Sequence, residues 1–251
     1  MQAPSAEWYQ LAYRALTLYP EVRWEFEETI RHVLPNEPVF EFGCGSGSFL
    51  TCCKDHGVPA SGMDFSSDAI ASCLAHGLIA KRLDLNQIEK MTDEDRFRHM
   101  AAFHFLEHLD HPSVLFEQAA ARAFPSAHLW VSVPSDRRPT RVYGRRDFLD
   151  QPPHHMSRWN PKAFRAIGER FGWQLAETLY EPMPLTAAVW SISYYSDSYQ
   201  RWKNAGRFSN RLIEKGFRAA VLPVGLIRRF TTDRNLHGFA MLAHFVFNGS
   251  T

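Results

Sequence analysis

Residues 39–50 read VFEFGCGSGSFL, and the fold is decided there. An apolar run from Pro38 to Phe42 with the spacing of a short buried strand gives way to glycine at positions 43, 45 and 47. Ser48 then opens a segment with helical character. Glycine lacks a Cβ and reaches positive φ at little steric cost, so such a turn can close tightly and still come within contact of a ligand. A strand, a glycine turn and a helix in this order predict an α/β protein. Its ligand is expected at the strand's carboxyl end, beside helix N–H groups that favour a negatively charged group.

The spacing of the turn separates two cofactor classes. A dinucleotide fingerprint is G-x-G-x-x-G, but here the third glycine comes one residue early and Ser48 stands where glycine or alanine is required. Two residues before the first glycine is Glu41, an acid at the end of a buried strand that a turn without a ligand would not need. The string E-x-G-x-G-x-G resembles motif I of the class I S-adenosylmethionine (SAM)-dependent methyltransferases. The resemblance implies a Rossmann-like, seven-stranded, mostly parallel sheet with helices on both faces. It implies SAM as cofactor, with S-adenosylhomocysteine as product. It also implies that Gly43, Gly45 and Gly47, with Phe42 and Cys44 between and before them, lie along the methionine part, whose ammonium end Glu41 helps to anchor.

Moving outward, PASGMDF (59–65) reads as a second strand ending at Asp64, about twenty residues past the turn, where a carboxylate can accept from ribose hydroxyls. The next segment, SSDAIASCLAHG, is predicted to be a helix capped by Ser66 or Ser67, with Ile70 and Leu74 inward and Gly77 as its stop. A third strand, AKRLDLNQI, is expected to end at Asp84. The resemblance places Asp84, Leu85 and Phe65 around the nucleoside, and a helix-cap role accounts for Asp84 equally well.

The fourth strand, HMAAFHFLEHLDHP, matches a pattern carried by a small-molecule subgroup of the same family, through Phe103, His104, Leu106, Glu107, His108 and Leu109, followed by Pro112. The resemblance implies that Phe103 and His104 shape the meeting point of cofactor and acceptor. His104, His108 and His111 fall at i, i+4 and i+7, a spacing that gathers metal ligands only on a helix. Because His104 closes a strand, no metal site is expected. After a fifth strand, AHLWVSVPS, comes a polar, basic loop from Ser135 to Arg158 that includes Arg137, Arg138, Arg141, Arg145 and Arg146. Its PPHHMSRW resembles a second signature of the subgroup. An imidazole titrates near 6.5, so His155, and after it His154, is the expected proton acceptor; capping the next helix explains these histidines as well.

At 251 residues, 45% hydrophobic and net charge +1, the chain suits one α/β domain. A strongly basic nucleic-acid surface is not indicated. The expected divisions are a helical cover over 1–36, a core over 37–182, a helical insertion over 183–236 and a last strand over 237–251. Cys44, Cys52, Cys53 and Cys73 contain no C-x-x-C pair and read as reduced thiols of a cytoplasmic protein. The N-terminus lacks a signal peptide's basic and apolar blocks, and no apolar run reaches the roughly 20 residues that span a bilayer. The stretch AAVLPVGLIRRF allows at most a weak contact with a membrane surface. In the insertion, Tyr195, Tyr199 and Trp202 lie at i, i+4 and i+7.

The activity expected is methyl transfer to an oxygen or nitrogen of a small or medium-sized acceptor. The rivals are a SAM-binding regulatory domain without catalysis and a nicotinamide-dependent oxidoreductase.

Overall fold

The computed structural model describes residues 23–34, 36–85, 96–144, 150–205, 211–231 and 233–249. Most of the helical cover expected over 1–36 lies outside the described residues, as do Arg145 and Arg146. In chain order the elements are α1 (Trp24–Ile30), β1 (Val39–Phe42), α2 (Ser48–Asp55), β2 (Ala60–Asp64), α3 (Ser67–Ala75), β3 (Ile79–Arg82) and β4 (Phe97–Phe103). A 3-10 turn (Leu106–His108) follows, then α4 (Ser113–Ala121), β5 (Ala123–Pro134), α5 (Pro139–Val142), α6 (Pro161–Glu169) and β6 (Trp173–Tyr180). The last are α7 (Leu185–Tyr195), α8 (Asp197–Asn204), α9 (Arg211–Phe230) and β7 (Ala240–Phe247).

Seven strands form one sheet in the order β3-β2-β1-β4-β5-β7-β6. The pairs β1–β2, β1–β4, β2–β3 and β4–β5 are parallel. β7 is reversed: the Ser135 N–H donates to the Phe239 carbonyl while His244 stacks on Trp130, so partners advance in opposite directions. This is the mostly parallel, Rossmann-like sheet that the glycine turn predicts. Strand order reverses between β1 and β4, so a crevice opens at their carboxyl ends, the usual ligand site of such sheets.

The chain divides into two compact units. One comprises Met1–Val133, Gln151–Leu179 and Leu242–Thr251, the other Pro134–Asp150 and Tyr180–Met241. In the first, Val39, Phe42, Met100, Ala101 and Trp130 are buried from both faces, as parallel central strands require. Phe26 of α1, Phe49 of α2 and Phe103 of β4 meet with ring centroids 4.7–5.3 Å apart, each such pair adding about 0.5–1.5 kcal/mol beyond area burial. Ser66 caps α3, its hydroxyl accepting from the Ala69 N–H. Ile70 is buried as expected, but Leu74 is 58% exposed and Cys73 takes the inward place. β3 ends at Arg82, two residues before the end predicted at Asp84.

In the second unit, α9 packs on α7, and α5 on α7. Arg138 pairs with Asp150, both buried. Tyr195 and Tyr199 do not share one helix, because Ser196 ends α7 and caps α8, its hydroxyl accepting from the Tyr199 N–H. Tyr195 instead stacks on Tyr143, Tyr199 is buried and Trp202 is 40% exposed. Among the described residues no helix is long and apolar enough to cross a membrane.

A row of imidazoles crosses β4, β5 and β7. His99 Nε2 lies 2.6 Å from Glu37 Oε2, the His99 ring stacks on His128, and His128 Nδ1 shares a proton with His244 Nε2 at 2.8 Å. His244 lies face to face on Trp130, centroids 3.8 Å apart, with Nδ1 3.4 Å from Glu177. Burial, then the neighbouring His128, pushes the His244 pKa down to about 3. The unfolded chain, titrating near 6.5, therefore takes up this proton first, and stability is lost as pH falls from about 6.5 toward 3. His244→Gln should flatten this acid limb, which contributes up to about 1.4 kcal/mol per pH unit. Thermal midpoints between pH 7 and 4 measure it; equal slopes for both proteins would refute it.

Candidate functional site

β1 delivers the glycine turn to the carboxyl edge of the sheet. Gly43 and Gly45 have φ of +70° and +52°, a region that L side chains rarely enter. A Cβ on Gly43 would lie 2.2 Å from the Phe105 ring, whereas one on Gly45 would meet nothing within 4 Å among the described residues. The first glycine thus lets an aromatic ring lie on the turn, and the second leaves bare backbone facing open space. Gly47 is the N-cap of α2.

Three carboxylates surround this edge. Glu41 is 3% exposed, and its Oε2 has no hydrogen-bond partner among the described residues. Burial, reinforced by Asp64 and opposed by Arg23, holds its pKa well above the usual carboxylate range. An uncompensated buried acid of this kind is costly unless a cationic or donor group meets it. Asp64 closes β2 and accepts from two backbone amides, Gly45 N–H to Oδ2 and Ser66 N–H to Oδ1, each at 2.9 Å. Its carboxylate is therefore fixed in place, with lone pairs left for further donors. Asp84 is exposed, Leu85 buried and Phe65 60% exposed.

The rings of Phe42 and Phe103 are core. Phe42 is fully buried against Phe40, and Phe103 packs between Phe26 and Phe49. Both rings are thus part of the core, and the ring that lies against Gly43 is that of Phe105. Cys44 is buried beneath the turn; Cys73 Sγ donates to the Gly45 carbonyl at 3.3 Å. Burial pushes the Cys44 and Cys73 thiols up, which keeps both protonated.

At the tip of β4, His104 takes φ of +48° and its amide donates to the Ser132 carbonyl. That conformation aims the imidazole between two buried acids: Nε2 lies 3.0 Å from Glu25 Oε1 of α1, and Nδ1 lies 3.3 Å from Glu107 Oε1. Burial opposes a charged ring, but hydrogen bonds and charge from Glu107 and Glu25 outweigh it and raise the His104 pKa to about 9. In return, despite burial, Glu107 is held down to about 2 and Glu25 is lowered. At neutral pH this is a cation clamped by two anions, so His104 is a hydrogen-bond donor and not a proton acceptor.

The loop before α6 lies on this segment through its backbone: the Met156 N–H donates to the Glu107 carbonyl at 2.7 Å. His108, His154 and His155 thereby come together, ring centroids 4.5–5.0 Å apart. Burial, then His108 and His155, pushes the His154 pKa down to about 4, which makes it a poor proton acceptor. His111 is exposed and outside this group.

The structure thus brings Glu41, Gly43, Gly45 and Asp64 to one edge, with His104 beside Glu107 and the pair His154 and His155 beside His108. Reading the sequence missed Glu25, Phe105 and the carboxyl of Glu107 as parts of this edge. For Phe105 the signal was its place directly after the His104 kink. For Glu25, 79 residues from His104, there was no local signal.

A family model described as a methyltransferase domain matches residues 23–178. Among curated proteins no sequence match is found. Solved structures share the fold. A SAM-dependent methyltransferase from Archaeoglobus fulgidus is 21% identical with a TM-score of 0.64, the match covering 96% of this chain and 99% of that one. In a complex with the Haloferax volcanii Trm112 methyltransferase activator, the match is 15% identical, TM-score 0.64, covering 98% and 96%. The cyclopropane synthase MmaA2 of Mycobacterium tuberculosis is 13% identical, TM-score 0.51, covering 96% and 85%.

Proposed function

Because the chain belongs to the methyltransferase-domain family, we propose that it transfers the methyl group of SAM to an oxygen or nitrogen of a small or medium-sized acceptor. The observation that carries the cofactor assignment is Glu41. Among the described residues its buried Oε2 lacks a partner at the foot of an open glycine turn, and the α-ammonium of an amino acid is the group such a carboxylate needs. Gly43, Gly45 and Gly47, with Phe42 and Cys44 contributing backbone, would hold the methionine part. Asp64 would accept from the ribose hydroxyls, and Phe65, Asp84 and Leu85 would flank the base. When bound, SAM supplies a methyl group made electrophilic by its sulfonium.

The protein's own tasks are then to align the acceptor and to take its proton. Clamped between Glu25 and Glu107, His104 offers a fixed positive charge, and the Phe103 backbone leads into it. His155 is the side chain we assign to proton removal, since His154 is held too acidic for it.

Heat-shift measurements with SAM, S-adenosylhomocysteine and NAD test the cofactor: the first two should raise the midpoint and NAD should not, because only a ligand that prefers the folded state stabilises it. Turnover of labelled SAM over a panel of hydroxyl and amine acceptors tests the activity. It also separates an enzyme from a SAM-binding regulator. His155→Ala should keep the SAM heat shift and lose most of the turnover; unchanged turnover would remove the base assignment.

A further inference from the structure

We infer that His108, His154 and His155 form a binding site for one divalent cation of the zinc class. His108 ends the 3-10 turn after β4, and the other two stand on the loop before α6. One ring nitrogen from each lies within 4.8 Å of the others. The inference goes beyond methyl transfer and does not depend on it.

Three features distinguish this group from a chance meeting of rings. The backbone is already fixed: the His154 and His155 N–H groups both donate to the Gln151 carbonyl, and the Met156 and Ser157 N–H groups both reach the Glu107 carbonyl. Loop and turn are thus tied at the residues next to the imidazoles. His108 is also oriented for ligation. Its Nδ1 lies 2.7 Å from the His154 carbonyl oxygen, which can only accept, so Nδ1 carries the proton and Nε2 keeps a lone pair. A backbone carbonyl holding one ring nitrogen so that the other can bind metal is the usual outer-shell arrangement. Finally, the residue next to His108 is Glu107, 1% exposed, so a buried acid accompanies the three rings.

Imidazole selects zinc, copper, nickel or iron over magnesium or calcium, and three protein ligands leave one position open for an oxygen or nitrogen donor. With metal–nitrogen bonds of about 2.0–2.1 Å, tetrahedral ligands stand roughly 3.3 Å apart. The rings must therefore close by somewhat more than an ångström, which side-chain rotation of the partly exposed His154 and His155 can supply. A bound cation would occupy the His155 lone pair, so ligation and proton removal by that ring exclude one another.

Chelator-stripped full chain, without SAM or acceptor, is titrated with Zn²⁺ by calorimetry and with Co²⁺ by visible absorption. One equivalent should bind, with a four-coordinate Co²⁺ spectrum, and His154→Gln and His155→Gln should each weaken binding by at least about 10-fold. Cys52→Ser should change nothing; it is the control because Glu27, Cys52 and His56 form the other candidate group among the described residues. Binding no tighter in the wild type than in His154→Gln and His155→Gln, or binding abolished by Cys52→Ser, overturns the inference. Protection of His154 and His155 from carbethoxylation by Zn²⁺, mapped by peptide mass on the wild type, decides the matter without any variant; no protection overturns it. Neither readout involves methyl transfer, so failure here leaves the enzymatic assignment to its own test.

Discussion

Replacing His104 with leucine is expected to lower the unfolding free energy by about 3–5 kcal/mol, the cost of breaking a buried ion pair by removing one partner. Leucine keeps an apolar body of similar size, but Glu25 and Glu107, 3% and 1% exposed, lose the cation that lies between them. The pH dependence carries the signature. In the folded protein His104 titrates near 9 against about 6.5 unfolded. Its stabilisation is therefore fully present below pH 6.5 and is lost as pH rises through 9. The gap between wild type and His104→Leu should accordingly narrow between pH 7 and 9.5 in urea melts. Part of any loss would come from forcing leucine to φ of +48°. His104→Asn separates the two, because asparagine tolerates that conformation and carries no charge. A full-sized loss in leucine with none in asparagine would show that strain, and not the ion pair, was being measured.

Gly43→Ala should weaken SAM binding at least about tenfold, or ~1.4 kcal/mol, and should destabilise the fold by about 1–2 kcal/mol through the left-handed backbone alone. Its Cβ would stand 2.2 Å from the Phe105 ring, so either the turn opens or the ring leaves. Gly45→Ala is the comparison: its backbone strain is alike, at φ of +52°, and its Cβ meets nothing among the described residues. Calorimetric SAM titrations should therefore rank wild type above Gly45→Ala and Gly45→Ala above Gly43→Ala in affinity, and thermal midpoints should give the same order in stability, with Gly43→Ala/Phe105→Ala recovering part of the lost stability. If Phe105→Ala brings no recovery, the ring does not constrain the turn.

The α/β architecture was legible because its signals are local. Glu41 to Ser48 contains strand end, turn and helix start within eight residues, and Ser66 caps α3 as its sequence position predicts. The errors share one physical origin. Leu74 and the supposed Tyr195–Tyr199–Trp202 stripe were read by period, yet a period does not reveal which neighbours arrive from elsewhere in the chain. α3 buries Cys73 against the turn, and Ser196 interrupts the stripe.

By itself the sequence determined the turn: a buried acid at the end of a strand, three alternate glycines and a helix start. Tertiary structure alone decided the charge state around it. Whether His104 is a base or a locked cation depends on Glu25, contributed by a different helix, and whether three histidines meet depends on a loop laid on the Glu107 carbonyl. Backbone conformation is set over a few residues, but the electrostatics of a buried group are set by every charge that folding brings within a few ångströms.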